Sequence, residues 1–344
     1  MNQWLDLLRE NGADISEDNQ SLSVPHTIQL GIYPLLHQSL FAISGSDTDK
    51  FLQGQLTCDL NLLREQGSLL GAHCNVKGHM SSIMRLVATE DGVLVRTHND
   101  LLSSTKQNLG KYIIFSKAEI QDTEQTMVGL GLAGNQAANL AKEAMGDISP
   151  NSQVTQKNGA YLISVPGERY ELWLPQEQAI ALLPSLLKLA ALGDTNAWLS
   201  KEIEQAIPDL RTETVEAFIP QMTNLQAFEG VSFRKGCYTG QEIVTRLQHR
   251  GQLKRPMYRL TTQTDTLPVA GTAIANSQKD SIGQVVFSAW LDKEAQTATL
   301  LAVAVKDSAD ANDLKLGSKD GAPLTIEALP YTLDQAMFEP KHRL

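Results

Sequence analysis

Trp4, Leu5, Leu7 and Leu8 recur at helical spacing, whereas residues 40–43 form a short apolar run closed by Ser44-Gly45, the pattern of a strand ending in a turn. Ser46, with Asp49 three residues on, predicts a capped helix carrying Phe51, Leu52 and Leu56. Apolar runs at 83–88 and 92–97 flank Asp91-Gly92, a strong hairpin signal. A polar helix over 101–109 and a strand near 118–120 complete a first mixed set. A second set follows: a strand over 127–132, an Ala-rich helix over 136–145, strands over 160–165 and 170–174, and helices over 176–189 and 196–206, the last capped by Asp194 or Thr195. That order is the one expected of a split βαβ unit. After Pro256 the spacing changes to short strand-like runs at 257–261, 283–290, 297–305 and 323–329, separated by Gly, Pro and Asp, which predicts a small antiparallel barrel.

With 344 residues, a prior of roughly 150 residues per domain gives two or three domains, and the changes of pattern place them at 1–125, 126–250 and 251–344. Apolar residues make up 42% and charged residues 20%, so the chain is an ordinary globular one rather than collagen-like, coiled-coil or disordered. No run approaches the roughly 20 apolar residues of a membrane span. The start, Met-Asn-Gln-Trp-Leu-Asp, lacks both a basic segment and an apolar core, and three cysteines are too few for a disulfide framework; a cytoplasmic protein is expected. The net charge of −10 argues against broad binding to DNA or anionic membrane. Its distribution is uneven: residues 234–259 hold seven cations and one anion, a local +6, which leaves −16 for the remainder.

Three constellations could carry chemistry. Gly129-Leu-Gly131-Leu-Ala-Gly134 fits a dinucleotide fingerprint, but the acidic residue required about 20 positions on would fall in the loop at 149–152, so a tight turn is the better reading. His73, Cys74 and His79 lack the paired spacing of a zinc site, and no metal is expected. The densest signal is Phe233-Arg-Lys-Gly-Cys-Tyr-Thr-Gly-Gln-Glu242. Thr239 and Glu242 form a capping box for a helix that Gly251 ends. Cys237 would then lie near the positive end of a helix dipole with Arg234 and Lys235 beside it, conditions that lower a thiol pKa below the usual value of about 8.5 and make it a candidate reactive thiol. Arg246 and Arg250, four apart on one face, are candidates for binding carboxylate or phosphate.

The eight residues Lys235-Gly236-Cys237-Tyr238-Thr239-Gly240-Gln241-Glu242 resemble the signature of the YgfZ family, folate-binding relatives of the glycine-cleavage T-protein that support iron–sulfur enzymes and tRNA modification. The resemblance extends to Phe218-Ile-Pro-Gln-Met-Thr-Asn-Leu-Gln226, Phe51-Leu-Gln-Gly-Gln55, Lys111-Tyr112, Phe115-Ser-Lys117 and Leu329-Pro-Tyr331, and so spans nearly the whole chain. It implies an α+β fold of two ferredoxin-like domains and a C-terminal antiparallel β-barrel around a central folate site. It also implies tetrahydrofolate or a derivative as ligand, with Trp198 stacking on the pterin; where the family has a second tryptophan this chain has Gln38, with Phe41 close by. The implied partners are iron–sulfur enzymes, including tRNA-modifying ones. Where the aminomethyltransferases carry a carboxylate this chain has Ile83, beside Ser81 and Ser82, which removes the acid needed for methylene transfer. A folate-dependent aminomethyl transferase, and a non-catalytic adaptor docking protein or tRNA through 234–259, are the alternative readings.

Overall fold

The computed structural model describes residues 2–25, 31–123, 126–148 and 153–339. Three large sheets organise them. In the first, the strands Ser68–Cys74, Met80–Ala88, Gly92–His98, Gln38–Ser44 and Glu119–Asp122 lie side by side in that order, all antiparallel. The hairpin expected at Asp91-Gly92 forms, with Ala88 opposite Val93. Helices Thr48–Gln55 and Asn99–Ile113 bury Phe51, Leu52 and Leu109 on this sheet against Phe41, Ile43 and Val95. The first of these helices starts at Asp47 without a side-chain cap, one residue beyond the expected Ser46.

The second sheet runs Val154–Lys157, Ala160–Val165, Arg169–Pro175, Met127–Ala133, Gly31–Pro34 and Ala191–Leu192, antiparallel except for the last pair. Its core also takes Trp4, Leu5 and Leu8 of the helix Gln3–Glu10. The N-terminal segment therefore packs with the second sheet, and the chain then crosses to build the first.

Gly129 and Gly131 of the fingerprint sit inside the strand Met127–Ala133, while Gly134, at φ +94°, turns the chain after it toward the next helix. A Cβ on Gly129 would stand 2.7 Å from the Trp173 ring, and one on Gly131 would stand 2.5 Å from the Trp198 ring. These glycines make room for two indoles, as bare backbone does wherever a large ring lies flat on a strand. The interval at 149–152 lies outside the described residues.

The third sheet is antiparallel throughout, in the order Lys315–Leu316, Ala273–Ala275, Gly283–Asp292, Thr297–Ala304, Met257–Gln263, Thr325–Glu327. Register shifts at Val285/Phe287 and Trp290/Asp292 bend the long strand. A bridge between Lys315 and Pro323 brings the approach to the last strand beside the first, so the sheet curls into a half-barrel. A common core joins the first and third sheets through the segment between them: Leu70, Cys74 and Ile83 meet Leu210, Phe218, Leu225 and Val244, and these meet Met257, Val286 and Leu301. Among the described residues no helix is long and apolar enough to cross a membrane.

Candidate functional site

The motif forms a loop entering the helix Gln241–Arg250. The helix is capped by Gly240 at φ +82° with no side-chain cap bond, so the expected Thr239–Glu242 capping box is replaced by a left-handed glycine one residue later. The packing explains the replacement: a Cβ on Gly240 would lie 2.5 Å from the Asn75 carbonyl oxygen, and one on Gly78 would lie 3.0 Å from Ile243. The helix start is wedged against the turn after Ser68–Cys74. Gly240→Ala should therefore cost about 1–3 kcal/mol, from left-handed strain plus overlap. Urea unfolding measures this, and a loss below about 0.5 kcal/mol, the range of a neutral surface change, would contradict the wedge.

Lys235 fixes the other end of the loop. Its Nζ donates to the carbonyl oxygens of Leu56 at 2.7 Å and Cys58 at 2.6 Å, and lies 5.2 Å from the centre of the Tyr238 ring. Burial pulls the ammonium down to about 8, against the opposing pull of Cys58 and Asp59. The Thr239 N–H donates to Gly54 O, and Gln241 Nε2 reaches Gly236 O at 3.5 Å. Held at both ends, the loop exposes Gly236 and Cys237 while Tyr238 turns inward. The other two cysteines are buried, and burial raises their thiols to about 11 for Cys58 and about 12 for Cys74. Glu242, Arg246 and Arg250 are exposed on the helix, which Gly251 ends as expected; among the described residues neither arginine forms an ion pair. His73 is bound to Ser81 Oγ at 2.7 Å, and among the described residues no group of three His, Cys, Asp or Glu is placed to hold a metal.

A second constellation was not singled out from the sequence. Where the first two sheets meet, Glu171, 1% exposed, lies 3.3 Å from both Arg85 Nε and Arg96 Nη2 and accepts from Trp173 Nε1 at 3.2 Å. Burial alone would raise this carboxyl; Arg96 and Arg85 outweigh it and hold the group below its ordinary value. Arg169 Nη1 donates to Glu202 Oε1 at 2.6 Å, and Arg211 Nη1 to Asp209 Oδ2 at 2.6 Å. Arg85, Arg96, Glu202 and Asp209 line a cleft with an apolar wall of Leu70, Ile83, Met84, Ile207 and Pro208. Beyond Arg96 and Arg211, His37 and His98 face each other at 6.0 Å between ring centres. Burial, with His98 and Arg211, holds His37 well below its usual value, and burial with Arg211 and Arg96 brings His98 to about 2.

Trp198 is 1% exposed. Arg169 stacks on its ring at 4.6 Å, Tyr33 lies 5.7 Å away, and Gly131 packs directly against it. The indole thus supports the cluster from behind and presents no open face to a pterin. Gln38 is buried in Gln38–Ser44 opposite His98, its Oε1 without a hydrogen bond, and Phe41 lies in the first core.

A curated relative from Yersinia enterocolitica (serotype O:8 / biotype 1B), named tRNA-modifying protein YgfZ, is 34% identical over 323 residues, 92% of this chain and 97% of the relative. One of the same name from Yersinia pestis (strain Pestoides F) is 35% identical over 303 residues, 86% and 90% of the two chains. The chain belongs to the YgfZ family. No family model matches it. Its fold is similar to that of the glycine cleavage system aminomethyltransferase T from Bartonella henselae, with a TM-score of 0.72 over 94% of this chain and 96% of that one at 17% identity. In this YgfZ chain the residue expected at the transferases' carboxylate position, Ile83, is buried and lines the cleft with Leu70, Met84 and Arg85.

Proposed function

We propose that this protein supports tRNA modification by maintaining or repairing iron–sulfur enzymes, with Cys237 as its reactive thiol and tetrahydrofolate or a derivative as its ligand. The observation that carries the reading is the contrast between the cysteines: Cys237 stands exposed on a loop fixed by Lys235 and Gly240, while Cys58 and Cys74 are sealed in cores. A thiol with a merely packing role has no use for that presentation. The names of the Yersinia relatives support the tRNA side of the reading. The fold of the aminomethyltransferase supports the finer architecture of two ferredoxin-like units and a barrel.

The central cleft fits a pterin by chemistry. Glu202 and Asp209 offer acceptors to ring N–H and amino groups, and the apolar wall suits a flat heterocycle. The cleft has a cavity volume of about 10 Å³, room for a single water and far below the roughly 300–1,000 Å³ of typical ligand pockets. Binding a whole folate therefore requires side chains at the rim to move. Trp198 would act in this site by stacking on Arg169, which holds Glu202, rather than by touching the ring.

The test is complementation of cells lacking the native protein. Cys237→Ser should leave iron–sulfur enzyme activity and modified nucleosides in bulk tRNA at the level of the deletion, while Cys58→Ser and Cys74→Ser should restore both. Normal values with Cys237→Ser would end the role of the thiol. Tetrahydrofolate titration of the purified chain, followed by calorimetry, tests the ligand.

A further inference from the structure

The cluster around the cleft contains four guanidiniums, Arg85, Arg96, Arg169 and Arg211, and three carboxylates, Glu171, Glu202 and Asp209. Two pairs are complete. Arg169 is matched by Glu202 and Arg211 by Asp209, each at 2.6 Å. Glu171 is left to serve both Arg85 and Arg96 at 3.3 Å, so these two guanidiniums share one carboxylate and carry one positive charge more than it balances. The remaining groups do not absorb it. His37 and His98 are held neutral by burial and by the arginines, and among the described residues neither Asp194, which caps the helix at Ala197, nor Asp100, beside His98, lies within ion-pair distance of Arg85 or Arg96.

The surplus is located on the cleft. Arg85 and Arg96 are each 5% exposed and both line it. Among the described residues Arg85 donates no hydrogen bond at all, its Nε lying within ion-pair distance of Glu171 but out of line for a bond, and Arg96 donates only one. The Nε atoms of both are buried without a hydrogen-bond partner. A guanidinium carries five donors, and leaving them desolvated and unmatched is among the costliest arrangements a protein interior can contain. Such an arrangement is retained where a ligand completes it.

We propose that Arg85 and Arg96 form a binding site for a carboxylate group of a small ligand in this cleft, with Glu171 holding the two guanidiniums in position. A single planar carboxylate matches both the surplus of one charge and the fork of donors, whereas a phosphate dianion would overshoot the balance. Two sources offer that group: a free small acid, and the glutamyl carboxylates of a folate side chain. In the second case the site extends the folate reading; in the first it stands without it.

Thermal melts of the full chain at neutral pH and matched ionic strength test the site, in sodium chloride, sodium acetate and sodium p-aminobenzoylglutamate, for wild type, Arg85→Met and Arg96→Met. In wild type at least one carboxylate should raise the midpoint above chloride by about 2–4 °C, and both variants should lose that rise. A response to acetate assigns a small acid; a response to p-aminobenzoylglutamate alone assigns the folate tail. In chloride, Arg85→Met should melt no lower than wild type, because it removes the unbalanced charge. The site is overturned if neither carboxylate shifts the wild-type midpoint, if the rise persists in the variants, or if Arg85→Met melts well below wild type in chloride. Should one variant fail to fold, the other carries the carboxylate comparison. Tetrahydrofolate titration of the same samples reads the folate proposal separately: affinity unchanged in both variants leaves a pterin site without a carboxylate site.

Discussion

Glu171→Gln is expected to destabilise the protein by about 3–5 kcal/mol, enough to remove much of the roughly 5–15 kcal/mol that holds a domain folded. The side chain is 1% exposed and lies between Arg85 and Arg96, so neutralising it leaves two buried guanidiniums with no counter-charge within ion-pair distance. The amide preserves shape, and the loss therefore reports charge rather than packing. Urea unfolding of the variant measures it. A second substitution, Arg85→Met, should recover part of the loss because it removes one of the stranded cations, and this recovery separates an electrostatic cause from a steric one. A loss under about 1 kcal/mol, typical of an exposed pair, would mean that solvent already screens the cluster.

Acidification should begin to destabilise the protein near pH 6.5, well above the range in which exposed carboxylates titrate. Burial, with Lys111 nearby, brings His73 from 6.5 to about 4; burial, Arg211 and Arg96 bring His98 to about 2; His37 is lowered as well. Each of these rings binds its proton more readily in the unfolded chain, so stability present above pH 6.5 is lost as the pH falls toward the folded values. One such group contributes a slope of up to about 1.4 kcal/mol per pH unit, and three together about 4, which exhausts a stability of about 5–15 kcal/mol within two to four units. Glu171 adds to the fall only below its ordinary value of 4.5, since its folded value is lowered. Urea melts at pH 7, 6, 5 and 4.5 should show midpoints dropping from the first step. His98→Asn keeps an acceptor at the helix start, where His98 now accepts from the Asp100 N–H, and should flatten the slope by up to about 1.4 kcal/mol per pH unit. Superimposable pH profiles for the two proteins would remove His98 from the explanation.

Many of the elements were legible in the spacing of apolar residues, because a strand or helix with one buried face writes that face into the sequence at period 2 or 3.6, whereas the strands Gly31–Pro34, Ser68–Cys74 and Val154–Lys157 and the helix Leu60–Gln66 were not read from it. The hairpin at Asp91-Gly92, the cap at Asp194 and the strands after Pro256 are local in this sense. So is the motif Lys235–Glu242, whose eight residues pointed to the family before any contact was known. Local spacing misjudged the helix start there: Thr239 has the right chemistry for a cap, but the Asn75 carbonyl approaches so closely that only Gly240 can turn the chain.

What tertiary structure alone decided is the interior between the sheets. Arg85, Arg96, Arg169 and Glu171 sit in strands where an isolated charge reads as the solvent face, and they are buried because a second layer covers that face too. The same covering closes Trp198 behind Arg169 and gives Gly129 and Gly131 their purpose under two indoles. A period along one strand records that its two faces differ, and it carries no information about what is laid over each of them. That depends on strand residues as far apart in the chain as Arg85 and Glu171, whose meeting is a property of the assembled sheets.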